Sequence, residues 1–214
     1  FAQGLGAAIG WFSLSMSVGG ASGVVLTQPL TQTFADRWPL ALAFWAVPAL
    51  LAALLWLRLP NRDEPAGPAP AGGLPWTVPR AWLITAFFAL QSGLFYALST
   101  WLVARYGEAG LSTLRSNGLL SLFMLAGMPC SFLVPWLAHR GVSRLLLLGG
   151  CSTLALLCLL LIALAPGFQP ELTAALLGIA LSSAFALALI LPMYEANSPL
   201  EVSRWTAMML SVGY

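Results

Sequence analysis

Long stretches of this chain carry no ionisable side chain. Residues 1–35, 38–57, 81–104, 116–138, 145–170 and 172–194 lack Asp, Glu, Lys, Arg and His altogether. Crossing the roughly 30 Å hydrocarbon layer of a bilayer takes about 20 helical residues, so each run is long enough to span it. None alternates with period two. Backbone groups in lipid must bond among themselves, so such runs predict helices rather than barrel strands. The expected spans are 4–28, 39–57, 81–104, 116–138, 145–165 and 171–193, with a seventh starting near Ser203. The fold class is therefore an all-α, polytopic transmembrane helix bundle.

The connections between spans are unequal. Ala35–Trp38, Arg105–Arg115, His139–Arg144 and Pro166–Pro170 are short turns. Residues 58–80 read RLPNRDEPAGPAPAGGLPWTVPR, with six Pro and three Gly, the composition of a flexible polar linker. It leaves two helices before it and at least four after. With the linker on the cytoplasmic side, Arg58, Arg62, Arg80, Arg140, Arg144 and Arg204 lie inside, against Arg37, Arg105 and Arg115 outside. That bias predicts that 58–80 is cytoplasmic; the expected location is the plasma (inner) membrane. The first residues are already apolar, and Trp205–Tyr214 enters a fresh uncharged run. The chain is expected to be a piece of a longer protein.

Composition narrows the function. Charged residues make up 7% of the chain, against about 25% in an average soluble one. The net charge of +2 is small and dispersed, which argues against a nucleic-acid partner. Every basic residue is Arg, so no lysine Schiff base can form within the chain. One His leaves too few ligands for a metal-dependent intramembrane enzyme, and no cofactor is expected. Cys130, Cys151 and Cys158 fall inside predicted spans, where thiols behave as small apolar groups.

Polar side chains are concentrated in particular spans. Span 39–57 has no Ser, Thr, Asn or Gln, and 145–165 has only Ser152 and Thr153. Span 4–28 holds Ser13, Ser15, Ser17, Ser22, Thr27 and Gln28; span 81–104 holds Thr85, Gln91, Ser92, Tyr96, Ser99 and Thr100. Polar groups in lipid are costly, so the poor helices are expected at the periphery and the rich ones around an interior or a water-filled cavity. A lone Ser more often glues helices together. At 1.5 Å per residue, Gln91 lies about 15 Å into its span, Ser183 about 18 Å and Ser13 about 14 Å, one shared depth.

Phe87–Ser112, FFALQSGLFYALSTWLVARYGEAGLS, resembles the seventh helix of the cyanate and nitroimidazole transporter branch of the major facilitator superfamily. Pro199–Tyr214, PLEVSRWTAMMLSVGY, is similar to that branch's entry into helix eleven, and Leu5–Ala21 to its fifth helix. The resemblance implies an incomplete major facilitator-type bundle running from helix five to the start of helix eleven. Residues 1–57 would then be the last two helices of the N-terminal half and 58–80 the linker. Residues 81–214 would be the first four helices of the C-terminal half plus the start of the next. Val103-Ala104 stands where that branch has Pro-Pro, and the superfamily's loop signature survives only in Leu137, Ala138, Arg140 and Arg144. Gly10, Gly19 and Gly23 keep an antiporter-like spacing without its Gly-Pro, which fits close helix packing.

The resemblance implies a secondary transporter, not an enzyme, working as a monomer in the lipid bilayer on a small solute. Gln91, Ser92, Phe95, Tyr96, Ser13 and Ser183 are the expected substrate-binding residues. An amide and hydroxyls beside aromatic rings suit a small polar or weakly anionic, cyanate-like solute. Transporter sites of this architecture lie near the bilayer midplane. Alternatives are a drug or metabolite exporter, with a larger and more aromatic cavity, and a non-transporting membrane scaffold or sensor. No Asp, Glu or His lies at that depth; only Glu195, at a helix end, comes near.

Overall fold

The computed structural model describes residues 11, 15, 18–20, 22–23, 25–27, 29–34, 37–58 and 73–214. All regular structure among them is helical. Five stretches there are long and apolar enough to cross a bilayer: Trp38–Arg58, Pro79–Glu108, Thr113–His139, Arg144–Leu164 and Pro170–Glu195. Most of the expected first span, including Ser13, and linker residues 59–72 lie outside the described residues. The chain divides into two compact units, Ser22–Gly72 and Phe1–Ala21 with Gly73–Tyr214.

In the smaller unit, α1 (Trp38–Phe44) and α2 (Ala46–Arg58) follow one another with a turn at Trp45. The expected single helix over 39–57 is interrupted there because Pro48 has no N–H to offer the Phe44 carbonyl four residues back. The indole of Trp45 donates to Thr27 Oγ1 at 3.1 Å, and Thr27 in turn donates to the Gly23 carbonyl. Of α1 and α2, only Ala41 is buried within the chain.

The larger unit contains α3 (Pro79–Glu108), α4 (Thr113–Gly127), α5 (Cys130–His139), α6 (Arg144–Leu164), α7 (Pro170–Glu195) and α8 (Pro199–Gly213). The 30 residues of α3 give a rod about 45 Å long, so its polar ends clear the hydrocarbon layer. It outruns the expected 81–104 because it ends only at Gly110, whose φ of +89° closes the turn. There Leu111 N–H bonds the Tyr106 carbonyl and Gly110 N–H that of Gly107. This six-to-one, five-to-two pair is the Schellman arrangement, and Gly141 (φ +90°) repeats it after α5.

The expected span 116–138 is broken at Met128–Pro129 for the same reason as span 39–57: Pro129 leaves the Leu125 carbonyl without its helical partner. Met128 N–H takes that carbonyl instead, tightening the turn. The last helix starts at Pro199, earlier than the expected Ser203, because Ser198 caps it. Ser198 Oγ accepts from Glu201 N–H, and the Glu201 carboxylate reaches back to Asn197 N–H, a near relative of the capping box.

At the centre of this unit is α7, packed against α3, α4, α5, α6 and α8. Many of its buried residues are small: Ala174, Gly178, Ala180, Ser183, Ala184, Ala186 and Ala188. Small side chains let backbones approach, which is how helices gain packing contacts where lipid supplies no hydrophobic drive. At Gly178 a Cβ would overlap the Phe123 carbonyl, so α4 and α7 touch backbone to backbone. By contrast α6 buries only Ala155, Cys158 and Ile162, and Leu145, Leu146 and Leu164 stand fully outward. A second cluster joins α3 to α8, where Trp205, Met208 and Met209 pack on Ala81, Ile84 and Phe88.

Candidate functional site

On the inner face of α3, Gln91 and Ser92 are buried although both are polar, with Gln91 only 6% exposed. A buried amide left unpaired costs about 1–3 kcal/mol, so its partners matter. Gln91 Nε2 donates to the Leu181 carbonyl of α7 at 3.2 Å, and Ser92 Oγ donates to Gln91 Oε1 at 3.4 Å. One N–H of the Gln91 amide is thereby committed to holding α3 against α7. The other N–H and the remaining acceptor capacity of Oε1 stay available.

Both side chains open on a cavity of about 390 Å³. Helix α3 also contributes Phe95 and Tyr96, α4 contributes Met124, and α7 contributes Leu181, Ser182 and Phe185. Tyr214 closes another side, and Ser15, Gly19 and Gly20 also line it. The aromatic rings form a connected wall. Phe95 meets Phe123 at 5.7 Å and Tyr96 at 5.9 Å; Tyr96 meets Tyr214 at 6.2 Å; Tyr214 stands edge-on to Phe88 at 5.0 Å. Such contacts fix the rings beyond simple area burial. Tyr96 remains half exposed, so its ring is a cavity wall rather than core.

No Asp, Glu, Arg or His is among the described residues that line the cavity. The ion pairs among the described residues lie at the helix ends. At one end Glu195 receives Arg80 at 3.4 Å and Arg144 at 3.7 Å, and the Arg144 guanidinium lies 4.3 Å from the Tyr194 ring centre. Glu195 thus clamps α3, α6 and α7, while the turn after it is capped by Ser198 and Glu201. At the other end two N–H groups of Arg115 converge on Glu171 Oε1, and Arg105 donates to the Ala163 carbonyl. These pairs are partly exposed and individually weak, though together they tie neighbouring helices at both ends.

The structure therefore brings Gln91, Ser92, Phe95 and Tyr96 to one cavity, as the i,i+4 spacings on α3 require. Ser183 is not among the lining residues. It is buried. Its neighbour Ser182 faces the cavity instead, because adjacent residues on a helix point about 100° apart. Ser182, Met124, Phe185 and Tyr214 are lining residues that depth alone did not single out.

Residues 2–213 match the profile of the Major Facilitator Superfamily. The chain belongs to this superfamily. It is 31% identical to the cyanate transport protein CynX of Escherichia coli (strain K12) over 210 residues, covering 96% of this chain and 54% of that protein. It is 28% identical to the uncharacterized transporter YycB of Bacillus subtilis (strain 168), covering 98% of this chain and 53% of the relative. A 2-nitroimidazole transporter of Escherichia coli (strain K12) is 29% identical over 135 residues, 61% of this chain and 34% of that one. No solved structure matches the chain. The chain spans about half the length of the first two relatives, so the helices described above are those of an incomplete major facilitator bundle. The superfamily resemblance read from Phe87–Ser112 and Pro199–Tyr214 holds, and with it the all-α membrane fold class.

Proposed function

We propose that this chain is part of a secondary transporter that moves a small, uncharged or weakly anionic polar solute across the plasma membrane by alternating access. The observation that carries the reading is the cavity between α3, α4 and α7, midway along a superfamily bundle, where Gln91, Ser92 and Tyr96 meet aromatic walls. Gln91 offers the solute its second N–H, Tyr96 a hydroxyl and a ring face, Phe95 a packing surface, and Ser13 of the first span an opposing hydroxyl. Neutral groups bind loosely enough to release, which a carrier needs. Residues 1–57 supply the last two helices of the N-terminal half, 58–80 the cytoplasmic linker, and 81–214 four helices of the C-terminal half and the start of a fifth. The protein acts as a monomer.

The volume favours one refinement. At about 390 Å³ the cavity falls within the roughly 300–1,000 Å³ range of drug-sized sites, well beyond a triatomic anion. Its walls are rings and apolar side chains, and this supports export or uptake of a flat organic solute as the second reading. Cells expressing the full-length protein, tested for uptake and efflux of labelled cyanate and 2-nitroimidazole, separate the two. Movement of cyanate alone supports the anion carrier, and movement of 2-nitroimidazole supports the second reading. Movement of neither removes both.

A further inference from the structure

The hydroxyl of Ser182 stands apart among the serines that line the cavity. Ser92 donates to Gln91 Oε1 and Ser15 to the Trp11 carbonyl. Among the described residues Ser182 Oγ has no hydrogen-bond partner, although the residue lines the cavity. Ser182 is also not held back by bulk. Gly127 of α4 faces it, and a Cβ on Gly127 would overlap Ser182 Oγ and come within 2.7 Å of Ser182 Cβ and of the Gly178 carbonyl. The space that any other residue at 127 would fill is the space into which the Ser182 hydroxyl recedes.

We propose that Ser182 supplies the solute-contacting hydroxyl of α7, and that Gly127 sets how far it withdraws, so that this pair fixes the size of solute accepted. The inference rests on the transporter reading of the same cavity. An unclaimed hydroxyl can donate to a solute acceptor and accept from a solute donor, with no internal bond to break first. Ser183, one residue on, is buried and does not line the cavity, so it takes no part.

The test uses the full-length protein with Cys130, Cys151 and Cys158 replaced by Ala. Ser182→Cys should react with a small methanethiosulfonate reagent, and Ser183→Cys should not. Whichever of cyanate and 2-nitroimidazole the parent transports should slow labelling of Ser182→Cys at least fivefold. Ser182→Ala, which keeps the recess empty and is safe for folding, should raise the apparent KM for that solute three- to tenfold, with the maximal rate within twofold. Gly127→Ala should cut the maximal rate for 2-nitroimidazole more than for cyanate. If it does not reach the membrane, the Ser182 variants decide alone. A Ser182→Cys thiol that stays unreactive, that is labelled but unprotected by a transported solute, or a Ser182→Ala with unchanged KM overturns this inference while leaving transport intact. A parent protein that moves neither solute defeats the transporter reading beneath it.

Discussion

Substituting Gly178 by Ala adds a single methyl where α4 and α7 have no room for one. A Cβ at this position would overlap the Phe123 carbonyl oxygen, with its carbon at 2.8 Å and the Phe123 Cα at 3.1 Å. All three obstacles are backbone, so no rotamer change relieves the clash and the helices must part. Overpacking of a filled interior costs about 1–3 kcal/mol, and a rigid obstacle belongs at the upper end. Replacing Gly by Ala inside a helix returns about 1 kcal/mol. The net expectation is a loss of about 2 kcal/mol. Gly93 on α3 is the control, because a Cβ there meets nothing within 4 Å. Gly93→Ala should therefore gain up to about 1 kcal/mol, leaving the two variants about 3 kcal/mol apart. Reversible unfolding of the purified full-length protein in mixed micelles, titrated with sodium dodecyl sulfate and followed by tryptophan fluorescence, reads this difference. Gly178→Ala as stable as wild type would refute backbone-to-backbone packing of α4 on α7.

Three further outcomes are expected. The Tyr106 hydroxyl is buried with no hydrogen-bond partner among the described residues, so Tyr106→Phe should raise stability in the same titration, by about 1 kcal/mol; a loss of that size would mean that the hydroxyl is satisfied. Arg115→Gln separates α4 from Glu171 at an exposed site and should cost under about 1 kcal/mol, an effect that high salt should erase. A cysteine introduced by Gly67→Cys in a cysteine-free background should be labelled only from the cytoplasmic face; labelling from outside intact cells would invert the proposed topology.

Charge-free runs made the membrane helices legible, since hydrocarbon thickness dictates their length and the arginines punctuate them. Their breaks were also written in the chain: Pro48 and Pro129 each withhold one N–H, and the helices part a few residues ahead of or beside them. The far end of α3 was harder, because Arg105 and Glu108 look like loop residues until the Gly110 turn is recognised as the stop. Gln91, Ser92, Phe95 and Tyr96 were readable as a group, since a Gln at mid-depth needs partners and the others follow at helical spacing. The choice between Ser182 and Ser183 was not. Helix α7 is apolar around nearly its whole circumference, so no polar stripe fixes its rotation, and depth alone cannot separate neighbours 1.5 Å apart along the axis. Its rotation is set by where Gly178 of α7 and Gly127 of α4 permit close approach, which depends on the partner helix as well. The Glu195 clamp likewise depends on Arg80 and Arg144 from two other helices, which no local pattern announces.

The central claim is that Gln91 sits in a solute site and not merely in a helix contact. Gln91→Leu in the full-length transporter removes donor and acceptor while roughly keeping volume, and Leu is at home in lipid. Leaving one polar partner of the solute unpaired costs about 1–3 kcal/mol, so the apparent affinity for the transported solute should fall some five- to a hundredfold. Membrane expression should be unchanged, because the Leu181 carbonyl keeps its place in the helix when the Gln91 bond to it is lost. Transport with unaltered affinity and rate would make Gln91 a strut between α3 and α7, and would contradict the placement of the solute site in this cavity.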